Sequence, residues 1–128
     1  MSIIGGAIFY QYFKLESPVS PPVIEIIPAS YDFGDIPYKK VETTFKIKNL
    51  GGENLEILGV STSCGCTKAY AKENIIPPGG ETELIVTFDP NLMDYKVVGK
   101  VFRAVFVSSN DPLNEEVRID ITANVVEG

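Results

Sequence analysis

Residues 42–49 read Glu-Thr-Thr-Phe-Lys-Ile-Lys-Asn, "ETTFKIKN". Thr44, Lys46 and Lys48 alternate with Phe45 and Ile47, a period of two that predicts a strand with one wet face and one buried face. The same period extends outward along the chain. "LEILGV" places Leu55 and Ile57 on one face, and "ETELIVTF" does so with Leu84, Val86 and Phe88. "EVRIDITANVV" keeps Val117, Ile119, Ile121, Ala123 and Val125 in phase. "KVFRAVFV", residues 100–107, is apolar on both sides except at Arg103, which predicts a central strand. Towards the N-terminus, "VIEII" (Val23–Ile27) stops at Pro28, and in "YDFGDIP" Gly34 and Pro37 would let the chain bend from one sheet to the other.

Between these runs lie turn signals. The paired glycines of "NLGGEN" predict positive φ, and Pro78-Gly79 in "IPPGGE" fits a type II turn. "SSNDP" (Ser108–Pro112) makes a further reversal. No window carries a helical stripe free of breakers. About seven strands with turns every ~8–12 residues predict an all-β, immunoglobulin-like β-sandwich with an N-terminal extension.

Composition narrows the functions. The chain has 128 residues, enough for one domain, and its net charge of −6 argues against nucleic acid as a partner. Histidine is absent, which removes Ser-His-Asp and Cys-His machinery and all His metal ligands. A non-enzyme is the expectation. Asp32 with Asp35, and Asp89 with Asp94, are sparse calcium candidates that read better as solvated loop carboxylates.

Residues 1–22 form an apolar segment followed by a Pro-rich linker, and the sandwich is expected over 23–128. The run "MSIIGGAIFYQYF" is shorter than the ~20 residues of a membrane-spanning helix. Ile3, Ile4, Ile8, Phe9, Tyr10 and Phe13 make it a candidate membrane tether, signal remnant or donated strand. "ESPVSPPV" (Glu16–Val23) holds three prolines in eight residues and reads as a semi-rigid extended spacer.

Both cysteines fall in "STSCGCT", residues 61–67. In extended backbone Cys64 and Cys66 would lie on one face with Cα atoms ~6.6 Å apart, and Gly65 lets the chain pinch further. A disulfide there closes almost no loop and contributes little entropic stabilisation. Three roles stay open: small packed thiols in a bend, a dithiol that opens and closes, or a pair of soft ligands for Cu(I). Lys68 is a candidate for lowering a thiol pKa, and Met93 for adding a thioether ligand.

In order and spacing, "YDFGDIP", "FKIKNLGGENLEILGVSTSCGCT", "IPPGGETELIVTFDP" and "VFVSSNDP…ITANV" resemble a bacterial immunoglobulin-like domain family of unknown function with a C-G-C-T signature. That family is similar in turn to Hydin and major-sperm-protein sandwich domains. Cys64, Gly65, Cys66 and Thr67 fall on the signature, Asp32, Phe33 and Gly34 on the opening motif, and Asn110, Asp111 and Pro112 on the closing turn. The resemblance implies a seven-stranded sandwich exported to the bacterial cell envelope, periplasmic or extracellular and often membrane-anchored, with no established catalysis. The expected function is therefore a non-enzymatic binding or assembly module. It would engage a protein partner, or itself, through edge strands or the N-terminal segment. The alternative is an envelope redox or Cu(I)-handling protein that works through Cys64 and Cys66.

Overall fold

Alternation places one side of each strand against an opposing sheet in a computed structural model, which describes residues 20–127. The tether or donor-strand candidates Ile3, Ile4, Ile8, Phe9, Tyr10 and Phe13 lie outside the described residues. The strands are β1 (Ile24–Ile27), β2 (Ser30–Ile36), β3 (Val41–Asn49), β4 (Leu55–Thr62), β5 (Thr67–Ala71), β6 (Ile75–Ile76), β7 (Glu81–Phe88), β8 (Gly99–Ser109) and β9 (Glu116–Val125). They form a four-stranded sheet, β1-β3-β7-β5, facing a five-stranded one, β2-β9-β8-β4-β6. All neighbours are antiparallel except β2 and β9. The all-β sandwich is as expected. The described strands number nine, more than the seven or so expected, because β5 and β6 are too short and too mixed to show a period.

Three local expectations change. The chain crosses between sheets twice here, at Pro28 between β1 and β2 and again over residues 37–40 between β2 and β3, so Pro37 stands at a crossing as expected and Gly34 does not. Proline has no N–H to continue a ladder, so it ends the first strand where it stands. Gly34 instead sits within β2 with φ 71°, where pairing to β9 slips between Asp32 and Asp35 in a bulge. Gly51 and Gly52 do not have positive φ. They are glycines because the chain before β1 presses on them: a Cβ on Gly51 would lie 2.7 Å from the Val23 nitrogen and 2.8 Å from Pro22 Cα. The linker thus ends packed against the β3–β4 turn, where the Gly52 N–H donates to the Pro21 carbonyl at 3.4 Å. Finally, β8 is central, but its outer face is not covered, and Phe102 is 66% exposed.

The Pro78-Gly79 turn forms as expected, with Gly79 at φ 76° and the Gly80 N–H donating to the Pro77 carbonyl at 2.9 Å. Among the described residues no helix is long and apolar enough to cross a membrane.

The core has two parts. Phe45, Ile47, Leu55, Leu84, Val86, Val105, Val107, Ile119 and Ile121 fill the middle of the sandwich. At one end Ile36, Phe88, Val101, Ala123 and Val125 make a smaller cluster that includes Cys66. Phe33 packs on both. Each large side chain fully buried here contributes roughly 1.5–3 kcal/mol of transfer free energy.

Candidate functional site

The chain runs from β4 in one sheet to β5 in the other through four residues, Ser63–Cys66. The cysteine pair is therefore a crossover between sheets, not part of an extended strand. Backbone pairing holds the turn on two sides. The Ser63 N–H donates to the Ala104 carbonyl at 3.0 Å, and the Ala104 N–H donates to Ser63 Oγ at 2.9 Å. The Asp89 N–H donates to the Cys66 carbonyl at 2.8 Å. Within the turn the Thr67 N–H donates to the Cys64 carbonyl at 3.0 Å, and the Thr62 hydroxyl lies 2.8 Å from the Thr67 carbonyl.

Cys64 and Cys66 are joined by a disulfide, with their Cα atoms 5.2 Å apart. That separation is shorter than extended backbone gives, as the pinch at Gly65 allows. The two sulfurs have unequal surroundings. Cys66 is 1% exposed, within the smaller core cluster, while Cys64 is only partly buried. Cys64 lines a cleft of ≈ 270 Å³ with Met93, Arg103, Leu92 and Tyr95. The Arg103 Nε–H donates to Cys66 Sγ at 3.3 Å, and its Nη1 donates to the Phe102 carbonyl at 2.7 Å. The Cys66 N–H points at Cys64 Sγ, 3.1 Å away, and the buried Thr67 hydroxyl is 3.7 Å from Cys66 Sγ.

Arg103 was legible only as the lone charge in an apolar strand. It, rather than the exposed Lys68, is the cation hydrogen-bonded to a sulfur. Met93 packs against the cluster that includes Cys66 and lines the same cleft as Cys64. Bridged to each other and next to a guanidinium, the sulfurs present no thiolate to Cu(I), whose binding needs the reduced pair.

The other motif residues have structural work. Asp32 Oδ1 accepts from the Gly34 N–H at 2.8 Å and shapes the bulge, while Asp35 accepts from the Asn124 amide at 2.9 Å. Asp89 Oδ1 accepts from the Asn91 N–H at 2.9 Å and caps the short 3₁₀ turn Pro90–Leu92. Among the described residues no group of three Cys, Asp or Glu side chains is placed to hold a metal ion. Asn110 extends the pairing of β4: its Oδ1 accepts from the Glu56 N–H at 2.8 Å, and its own N–H donates to the Glu56 carbonyl at 3.2 Å. Pro112 follows on the surface.

Asp111 ties its turn to the far end of the described chain. Its carboxylate is 1% exposed and accepts from the N–H groups of Ile24 (2.9 Å), Leu113 (2.8 Å) and Asn114 (3.2 Å). Burial alone would raise its pKa, but the backbone donors outweigh burial and hold it below the usual carboxylate value.

Edge strands complete the picture. In β1 the outward N–H of Ile24 is taken by Asp111, β2 is interrupted by its bulge, and β6 has only two residues. All three are devices that blunt an edge. Among the described residues the remaining side is open. Ladder alternation turns the amides of Val60 and Thr62 on β4, and of Ala69 and Ala71 on β5, away from their partners β8 and β7. A groove of ≈ 310 Å³ lies between these strands, lined in part by Leu58, Val60, Ala69, Tyr70 and Ala71. Leu58, Tyr70 and Ile75 around it are each more than half exposed.

Two facing sheets joined by a disulfide-closed Cys-Gly-Cys crossover define an immunoglobulin-like β-sandwich domain. The chain belongs to the family described as "Protein of unknown function (DUF1573)", whose model matches residues 24–125. A protein of unknown function from Porphyromonas gingivalis W83 is similar in structure, with TM-score 0.76 and 24% identity over 88% of this chain. This chain spans 50% of that protein's length. The ASH / PapD-like domain 7 of human CEP192 is similar at TM-score 0.60 and 15% identity, over 88% of this chain and 90% of that one. SSP-19, an MSP-domain-like protein of Caenorhabditis elegans, is similar at TM-score 0.56 and 15% identity, over 77% of this chain and 97% of that one. At these identities the likeness is one of fold. No curated protein sequence matches the chain.

Proposed function

We propose that this domain is a non-enzymatic assembly module of the cell envelope that accepts an extended segment at the β4–β5 side of the sandwich. The occupant is the apolar N-terminal stretch of a second copy, Ile3–Phe13. The outward amides of Val60, Thr62, Ala69 and Ala71 carry this reading, because they have no backbone partner among the described residues and flank a groove beside the exposed side chains of Leu58, Tyr70 and Ile75. Strand addition supplies main-chain hydrogen bonds from the edge and side-chain pockets from the groove. The segment "IIGGAIFYQYF" is rich in the β-branched and aromatic residues that suit such a strand. A Cys64–Cys66 disulfide supports an oxidising compartment, since such bonds persist in the periplasm or outside the cell and not in most cytosols.

Sedimentation across a concentration series tests it. The full chain is expected to self-associate, and deletion of Met1–Phe13 is expected to leave a folded monomer. Ala69→Pro should do the same, because it removes an outward N–H without breaking a β5–β7 ladder bond. A full chain that stays monomeric throughout, or an Ala69→Pro chain that associates as the parent does, overturns the reading.

A further inference from the structure

We infer that the Cys64–Cys66 disulfide is an exchange site for a dithiol protein, with Cys64 as the attacked sulfur and Arg103 as the residue that stabilises the departing one. The inference stands on the unequal setting of the two sulfurs and is independent of strand addition. Cys64 is partly exposed in a cleft rimmed by Leu92 and Tyr95, which are 50% and 71% exposed, while Cys66 is 1% exposed behind it. An incoming thiolate therefore reaches Cys64 Sγ first. Arg103 Nε lies 3.3 Å from Cys66 Sγ, the sulfur that must leave. Exchange is faster when the leaving thiol forms its thiolate readily, and a neighbouring guanidinium favours the thiolate against the opposing effect of burial.

The step balances as follows. A thiolate of the partner bonds to Cys64 Sγ, the S–S bond breaks, and its electron pair leaves on Cys66 Sγ opposite the Arg103 guanidinium. The partner's second thiolate then attacks the partner sulfur of this mixed disulfide and releases Cys64 as thiolate. The partner dithiol loses two electrons and becomes a disulfide, Cys64 and Cys66 gain them, and the protons equilibrate with solvent. The exposed apolar rim gives such a partner a surface to dock on around its thiols.

The test uses the oxidised full chain with dithiothreitol as the probe, the reaction being stopped by acid and the freed thiols counted by alkylation. Arg103→Gln is expected to be reduced roughly five- to tenfold more slowly than the parent, and Arg103→Lys about as fast as the parent. A second measurement does not depend on Arg103. In the Cys66→Ser chain, Cys64 should react with an aromatic disulfide reagent at least about tenfold faster than Cys66 does in the Cys64→Ser chain. Reduction of folded Arg103→Gln at the parent rate overturns the role of Arg103. Equal labelling of the two single-cysteine chains overturns the assignment of the attacked sulfur, whether or not Arg103→Gln folds.

Discussion

Asp111→Ala is expected to lower stability by about 3 kcal/mol at neutral pH, from the loss of charge-assisted hydrogen bonds to a buried carboxylate. The carboxylate joins the closing turn to the start of β1, 87 positions away, and satisfies three backbone N–H groups at once. Truncation leaves the Ile24 N–H on a sheet edge without its acceptor, so the end of the sandwich loosens together with the turn. The pH dependence follows from the direction of the shift. Asp111 has its pKa lowered by folding, so its contribution is complete above the ordinary carboxylate pKa and is lost as pH falls through the lower folded value. Urea midpoints of the parent and Asp111→Ala should therefore lie far apart at pH 7 and draw together as pH falls below the ordinary carboxylate pKa. A gap of constant size across that range would remove the electrostatic part of the explanation.

Asn49→Asp should be as damaging, for a different reason. The Asn49 side chain has no solvent exposure and uses all of its hydrogen-bonding capacity. Its amide donates to the carbonyls of Glu53 (2.7 Å) and Ile76 (2.9 Å), and its oxygen accepts from the N–H groups of Gly51 (2.9 Å) and Val23 (3.3 Å). It holds the β3–β4 turn, the segment before β1 and the end of β6 in one knot. Aspartate keeps the shape but replaces two donors by an acceptor oxygen that faces carbonyl oxygens, with a charge in a fully buried site. Alanine leaves four backbone groups short of a partner. A loss of about 3–4 kcal/mol is expected from either change. That is enough to lower the thermal midpoint by more than about 10 °C in a domain of this size. An Asn49→Asp chain melting near the parent would show that the turn finds other partners.

These two residues mark where reading the chain stops being enough. Asn49 stood at the end of a well-resolved alternating strand, and Asp111 inside a turn that read as no more than a reversal. Nothing near either residue names Ile76 or Ile24 as its partner. The glycine pair at Gly51 and Gly52 makes the same point. Its position in a turn was legible, but its reason was not, because the reason is the approach of Pro21 and Pro22 from a distant part of the chain. β5 was missed because "TKAYA" has little apolar alternation, and it forms as a strand by pairing along β7. The family signature drew attention to Cys64 and Cys66, and their proximity was legible from their spacing. Their crossover position, and the guanidinium of Arg103 on one sulfur, come from strands that sequence distance separates.

Alternation in β3, β7 and β9, the proline stop after β1 and the Pro78-Gly79 turn are set by backbone sterics and by the pleat, which act between near neighbours in the chain. The sequence by itself therefore determined a two-sheet sandwich and the inward face of its main strands. Which edges are blunted, which sulfur is buried and which donors meet Asn49 and Asp111 were decided only by the tertiary structure. A polar group takes its partner from whatever the topology brings within hydrogen-bonding distance, and that pairing is written in no single stretch of the chain.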